Sequence, residues 1–80
     1  MSNLHDAQPC DALVKMANEI AANIAPGKNQ QQTADAMLNH LTRFWSRSMK
    51  SQIIDHLEVE DNQLEPTAVE AIKLLKQSRA

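Results

Sequence analysis

Apolar positions recur along this chain with the spacing of helices, and nothing alternates with a period of two for long. In the run DALVKMANEIAANIAPG, Leu13, Val14, Met16, Ala17, Ile20, Ala21 and Ile24 fall in one arc when projected at about 100° per residue, while Lys15, Asn18, Glu19 and Asn23 lie outside it. This predicts an amphipathic helix over residues 10–25. Pro26-Gly27 stops it, because proline lacks the amide donor and glycine tolerates the left-handed exit conformation. KNQQQ then reads as a polar connector. Thr33 is the expected N-cap of a second helix over residues 33–45, with Asp35 in its first turn beside the positive end of the helix dipole.

The apolar residues of that second helix are Met37, Leu38, Leu41, Phe44 and Trp45. If the same helix ran straight to Leu57, then Met49, Ile53, Ile54 and Leu57 would project onto a face rotated by more than about 90° from the first. A straight rod cannot bury both faces on one side. A bend near Ser46 resolves the conflict, with the Ser46 hydroxyl capping a third helix over residues 46–58. Met49 occupies its third helical position, so the capping box is incomplete. An acidic loop follows. Pro66 suits the first position of a last helix over residues 66–78, and Leu64 and Val69 have the spacing of a hydrophobic staple around its start. Val69, Ile72 and Leu75, with Ala68 and Ala71, give this helix a small apolar face, and Lys73, Lys76 and Arg79 lie where the dipole favours positive charge. The expected fold is all-α: a single domain over residues 1–80, a small bundle of three or four short helices preceded by a flexible N-terminus of residues 1–8.

Composition narrows what such a bundle can do. A domain of 80 residues buries only about 60% of the surface its unfolded chain exposes, so its core is small and a partner helps it. Cys10 is the only cysteine, which excludes an internal disulfide and a cysteine-based zinc site and fits a reducing cytoplasm. The N-terminal MSNLHDAQPC lacks the marks of a secretory signal, and no apolar run approaches the roughly 20 residues needed to cross a bilayer. The chain is expected to be soluble, cytoplasmic and unconnected with membranes. Charge is polarised: Asp55, Glu58, Glu60, Asp61, Glu65 and Glu70 form a stretch without a base, whereas Arg43, Arg47 and Lys50 form one without an acid. With a net charge of −2, the chain gains little from counterion release, which counts against a nucleic-acid partner.

Catalytic and metal chemistry finds few candidates. His5, His40 and His56 are too far apart to share a helical face at metal-ligand spacing, and they read as surface or partly buried helix residues. Cys10 reads as an inert thiol near the chain start. One glycine cannot make a phosphate loop, and the acids lack the alternating spacing of a calcium loop. Neither a catalytic nor a metal-binding residue is expected. The stretch NHLTRFWSRSMKSQ is more distinctive, because it places the only Phe and the only Trp side by side among basic residues. Adjacent helical residues diverge by about 100°, so Phe44 and Trp45 cannot both point at the centre of one small core. Two readings stay open at this point. Both rings line a broad core face and the arginines are solvated, or one ring faces outward and, flanked by Arg43 and Arg47, docks on a partner. A helix-turn-helix use of the segment fits the acidic surroundings least.

LVKMANEIA (13–21), HLTRFW (40–45), Met49 and the late EPTAVEAI together resemble the small delta subunit of soluble NAD-dependent, molybdenum-containing formate dehydrogenases. Those proteins carry a Leu-Val-x-Met-Ala-Asn-x-Ile-Ala run and a His-Leu-x-x-Phe-Trp-x-Pro-Arg-Met segment, in the same order. This chain has Arg47-Ser48 where the family pattern has Pro-Arg, so Arg47 is displaced by one position from the family's arginine. The resemblance implies a non-catalytic accessory subunit that aids assembly or stability of the catalytic alpha subunit. That subunit, and not this chain, would hold the molybdopterin cofactor and the iron–sulfur clusters. Expected contact residues are Arg43, Phe44, Trp45, Arg47 and Met49, with Asn18 as a further candidate that also reads as a solvated polar residue. Competing readings are a cofactor-insertion chaperone for the same enzyme and a small helical DNA-binding regulator. In isolation the chain would be a monomer or would cover its exposed apolar area with a copy of itself.

Overall fold

Four helices carry the architecture of the computed structural model, which describes residues 9–24 and 29–79: α1 (Pro9–Asn23), α2 (Gln30–Phe44), α3 (Arg47–His56) and α4 (Pro66–Arg79). No strand occurs among the described residues, and the expected all-α bundle is what the chain forms. The expectations for residues 1–8, His5 and the Pro26-Gly27 stop lie outside the described residues, as does the Cys10 side chain.

The start of α2 differs from expectation. Asn29, not Thr33, is the N-cap: its Oδ1 accepts the Gln32 amide at 2.8 Å, and the Gln32 Oε1 accepts the Asn29 amide at 3.3 Å. This reciprocal capping box satisfies two amides that have no partner within the helix. The glutamine run is therefore the first turn of a helix rather than a linker. Thr33 is buried one turn in, and its hydroxyl donates to the Asn29 carbonyl at 3.0 Å.

The bend between α2 and α3 falls at Trp45 and Ser46. Trp45 leaves the helix in an extended conformation (φ −87°, ψ 142°), while its amide still donates to the Leu41 carbonyl at 3.1 Å. Ser46 (φ −69°, ψ 163°) caps α3, its Oγ accepting the Met49 amide at 3.1 Å. Lys50 Nζ reaches back to the Thr42 carbonyl at 3.3 Å, one of the carbonyls the end of α2 leaves without an intrahelical partner.

Met37 and Leu41 of α2, Ile53 of α3, and Ile72 and Leu75 of α4 are the largest fully enclosed side chains. Burying each such side chain stabilises the fold by about 1.5–3 kcal/mol. Ala17, Ala34, Ala68 and Ala71 are also fully buried, and their short side chains let the helices approach closely. The most extensive pairing is α2 with α4, and α1 packs on all three other helices.

The loop from Leu57 to Glu65 turns sharply, with Asp61 (φ 58°) and Gln63 (φ 67°) both left-handed. Such backbone costs about 1–2 kcal/mol for a residue bearing a Cβ, so something must hold it. The Asn62 Oδ1 accepts the Leu64 amide at 3.0 Å, and His56 Nε2 lies 2.9 Å from the Asn62 carbonyl, with Nε2–H as the donor. From α1, Asn18 Nδ2 donates to the Gln63 carbonyl at 2.8 Å, and Asn18 Oδ1 accepts the Glu65 amide at 2.8 Å. The Glu58–Lys76 ion pair (3.7 Å) joins two exposed side chains and contributes little.

Two of the expected contact residues also hold this chain together. Asn18 is engaged inside the chain through both ends of its amide, and so acts as a clasp between α1 and the start of α4 rather than as a free surface group. Trp45 belongs to the core at 6% exposure, because the turn out of α2 at this residue swings its ring inward.

Candidate functional site

The same turn that buries Trp45 leaves Phe44 on the outside. As the last residue of α2, Phe44 is 68% exposed, against 6% for its neighbour. Its ring is not bare. His40, one turn earlier, lies with its ring centroid 4.9 Å away at an interplanar angle of 43°, and the Arg43 guanidinium carbon is 5.8 Å from the Phe44 centroid. Spacing of four residues on one helix brings the His and Phe rings together, and the guanidinium gains a cation–π contact. The rings and the guanidinium restrain one another on the surface.

Beside this cluster runs an open groove of about 450 Å3 between α1 and α2. Met16 and Ile20 of α1, with Ile24 just past its end, form one wall at four-residue spacing, and His40 and the edge of Trp45 form the other. Met16 is itself exposed at 39%, although its place on the apolar arc of α1 predicts burial. Arg47, at the start of α3, is exposed, and Met49 is half-buried against the core. Among the described residues, neither Arg43 nor Arg47 pairs with a carboxylate.

The structure thus gathers Arg43, Phe44, Arg47 and Met49 around the α2–α3 bend, and leaves Asn18 elsewhere. Sequence reasoning overlooked His40 and Met16 as part of this surface. His40 was visible as the residue four positions before Phe44, whereas the exposure of Met16 depends on how α1 and α2 splay apart. The surface offers ring faces, methylenes and fixed positive charge, the groups that protein interfaces use.

A second hollow, of about 610 Å3, lies between α1 and the acidic loop, where Asp11, Lys15, Asn18, His56 and Asp61 mix both signs of charge. Among the described residues, no group of three or more His, Cys, Asp or Glu side chains is arranged to hold a metal ion. No described helix is long and apolar enough to cross a membrane.

No curated protein and no solved structure matches the chain. The family described as NADH-dependant formate dehydrogenase delta subunit FdsD matches residues 12–72, a span that runs from the start of α1 into α4 and includes both the Asn18 clasp and the Phe44 surface. The chain belongs to this delta-subunit family of formate dehydrogenases.

Proposed function

We propose that the chain is a non-catalytic accessory subunit that docks on the catalytic alpha subunit of a cytoplasmic NADH-dependent formate dehydrogenase and aids its assembly or stability. The observation that carries this reading is the exposed Phe44 ring, restrained between His40 and Arg43 on a bundle whose other ring is spent on its own core. Aromatic and arginine side chains are the types enriched where protein interfaces are centred. Holding them in place before association lowers the entropy that binding has to overcome. In this reading the molybdopterin and iron–sulfur centres belong entirely to the partner, and this chain contributes surface only.

The test is copurification from native cells. A tagged chain that remains with the alpha subunit through size exclusion is a permanent subunit. One found only with cofactor-free enzyme is an insertion chaperone, and one never found with the enzyme overturns the proposal. In the same preparation Phe44→Ala should lower recovery of the alpha subunit at least about tenfold, the loss expected of an interface-centre ring.

A further inference from the structure

A helix that ran on past Phe44 would give the Thr42 carbonyl to the Ser46 amide and the Trp45 carbonyl to the Met49 amide, four residues along in each case. The bend at Trp45 and Ser46 puts side chains in place of both bonds. The Met49 amide donates to Ser46 Oγ at 3.1 Å, and Lys50 Nζ donates to the Thr42 carbonyl at 3.3 Å. The first of these caps the start of α3. The second closes the end of α2, eight residues back, and sets an ammonium at the negative end of that helix's dipole. Lys50 itself is half-buried on α3, its amide making a regular helical bond to the Ser46 carbonyl at 3.0 Å. Its side chain therefore reaches across the bend from a fixed base.

The turn that Lys50 closes carries Arg43 and Phe44. Helix ends fray where their last carbonyls are unpaired. Phe44 meets His40, with ring centroids 4.9 Å apart, only while that turn keeps its helical spacing. We infer that Lys50 is a positioning residue for docking: by holding the Thr42 carbonyl it keeps the last turn of α2 wound, and so keeps the Phe44 ring against His40 before any partner arrives. The inference rests on the docking function proposed above and names the residue that makes its ring ready. A ring free to swing must be ordered on binding, which costs affinity.

The test uses the full chain and three substitutions. Lys50→Met keeps an unbranched apolar stem without the ammonium, Lys50→Arg retains a charged donor, and Ser46→Ala uncaps α3 alone. In the free chain the His40 ring-proton chemical shifts report the neighbouring Phe44 ring, and Phe44→Ala supplies their values without it. Lys50→Met should move these shifts toward the Phe44→Ala values, and Lys50→Arg should restore them. Ser46→Ala should lower the melting temperature and leave them in place. Unchanged shifts in Lys50→Met, or an equal displacement in Ser46→Ala, overturn the inference. Circular dichroism identifies any variant that has lost its fold, and Lys50→Gln then takes the place of Lys50→Met. Binding to formate dehydrogenase purified without its delta subunit is measured at high salt, where the charge of Lys50 counts for little. Lys50→Met should bind about fivefold more weakly, the cost of ordering one side chain anew, and Lys50→Arg should match the unaltered chain. Full affinity in Lys50→Met overturns the positioning role and leaves the docking function standing. An unaltered chain that fails to bind overturns the docking function and the positioning role with it.

Discussion

Asn18 and Glu65 are 47 positions apart in sequence, and the Oδ1 of the first accepts the amide of the second at 2.8 Å. Glu65 precedes the first residue of α4, so its amide is one of those that a helix start leaves without a partner. Pro66, next in line, has no amide hydrogen to satisfy. Asn18 Nδ2 holds the Gln63 carbonyl in the same grip, so one side chain of α1 fixes both the left-handed turn and the helix that leaves it.

Asn18→Ala should destabilise the isolated chain by about 1 kcal/mol, the low end for lost hydrogen bonds near solvent. In a domain this small, that corresponds to a fall in Tm of about 4–8 °C. Thermal unfolding followed by far-ultraviolet circular dichroism measures it. A change of less than about 2 °C would mean that the loop holds itself without α1.

Gln63 has a left-handed backbone at φ 67° without being glycine or asparagine. Gln63→Gly relieves that strain but loosens the unfolded chain, for a net gain of about 0.5 kcal/mol. Gln63→Val puts a β-branched side chain in the same conformation and should cost more than about 1 kcal/mol. Urea denaturation of the pair should show the two signs, and equal effects would contradict the assigned backbone.

Phe44 and Trp45 should behave oppositely on truncation. Trp45→Ala removes a ring that is only 6% exposed and should cost about 3–5 kcal/mol, a large part of what holds a small domain together. Phe44→Ala removes a 68% exposed ring and should change stability by less than about 0.5 kcal/mol. Chemical denaturation distinguishes them, and comparable losses would place Phe44 in the core.

Arg47→Pro restores the residue of the family pattern at the first position of α3. Ser46 already has the extended backbone (φ −69°, ψ 163°) that a following proline requires, and the first amide of a helix is dispensable. The substitution should stabilise the chain by about 0.5–1 kcal/mol through the unfolded state. It should also weaken partner binding, because one of the two unpaired arginines is gone. Thermal melts and binding measured on one preparation test both signs, and a lowered Tm would contradict the geometry assigned to Ser46.

Local rules read most of the helices from sequence. The apolar arc of α1, the break at Ser46 and the proline opening of α4 each follow from a few adjacent residues. The start of α2 was masked by its own composition: Asn29 and Gln32 have capping-box spacing, but a polar run offers no apolar periodicity to mark a helix, and Thr33 lay closer to the first buried residues. Which ring faces outward was not legible at all. Projection at a fixed angle per residue treats Trp45 as helical, whereas it has already turned out of α2, and one changed ψ angle decides the matter. The Asn18 clasp is invisible for a different reason, since no window of neighbouring residues spans the gap it closes.

That gap bears on how the protein is made. The α1 helix leaves the ribosome early, yet the groups it grips are translated only after α2 and α3. Contacts this distant in sequence raise contact order and slow folding. Until Glu65 emerges the nascent polypeptide holds its first helix only by packing on α2 and α3, and the clasp closes after both are made.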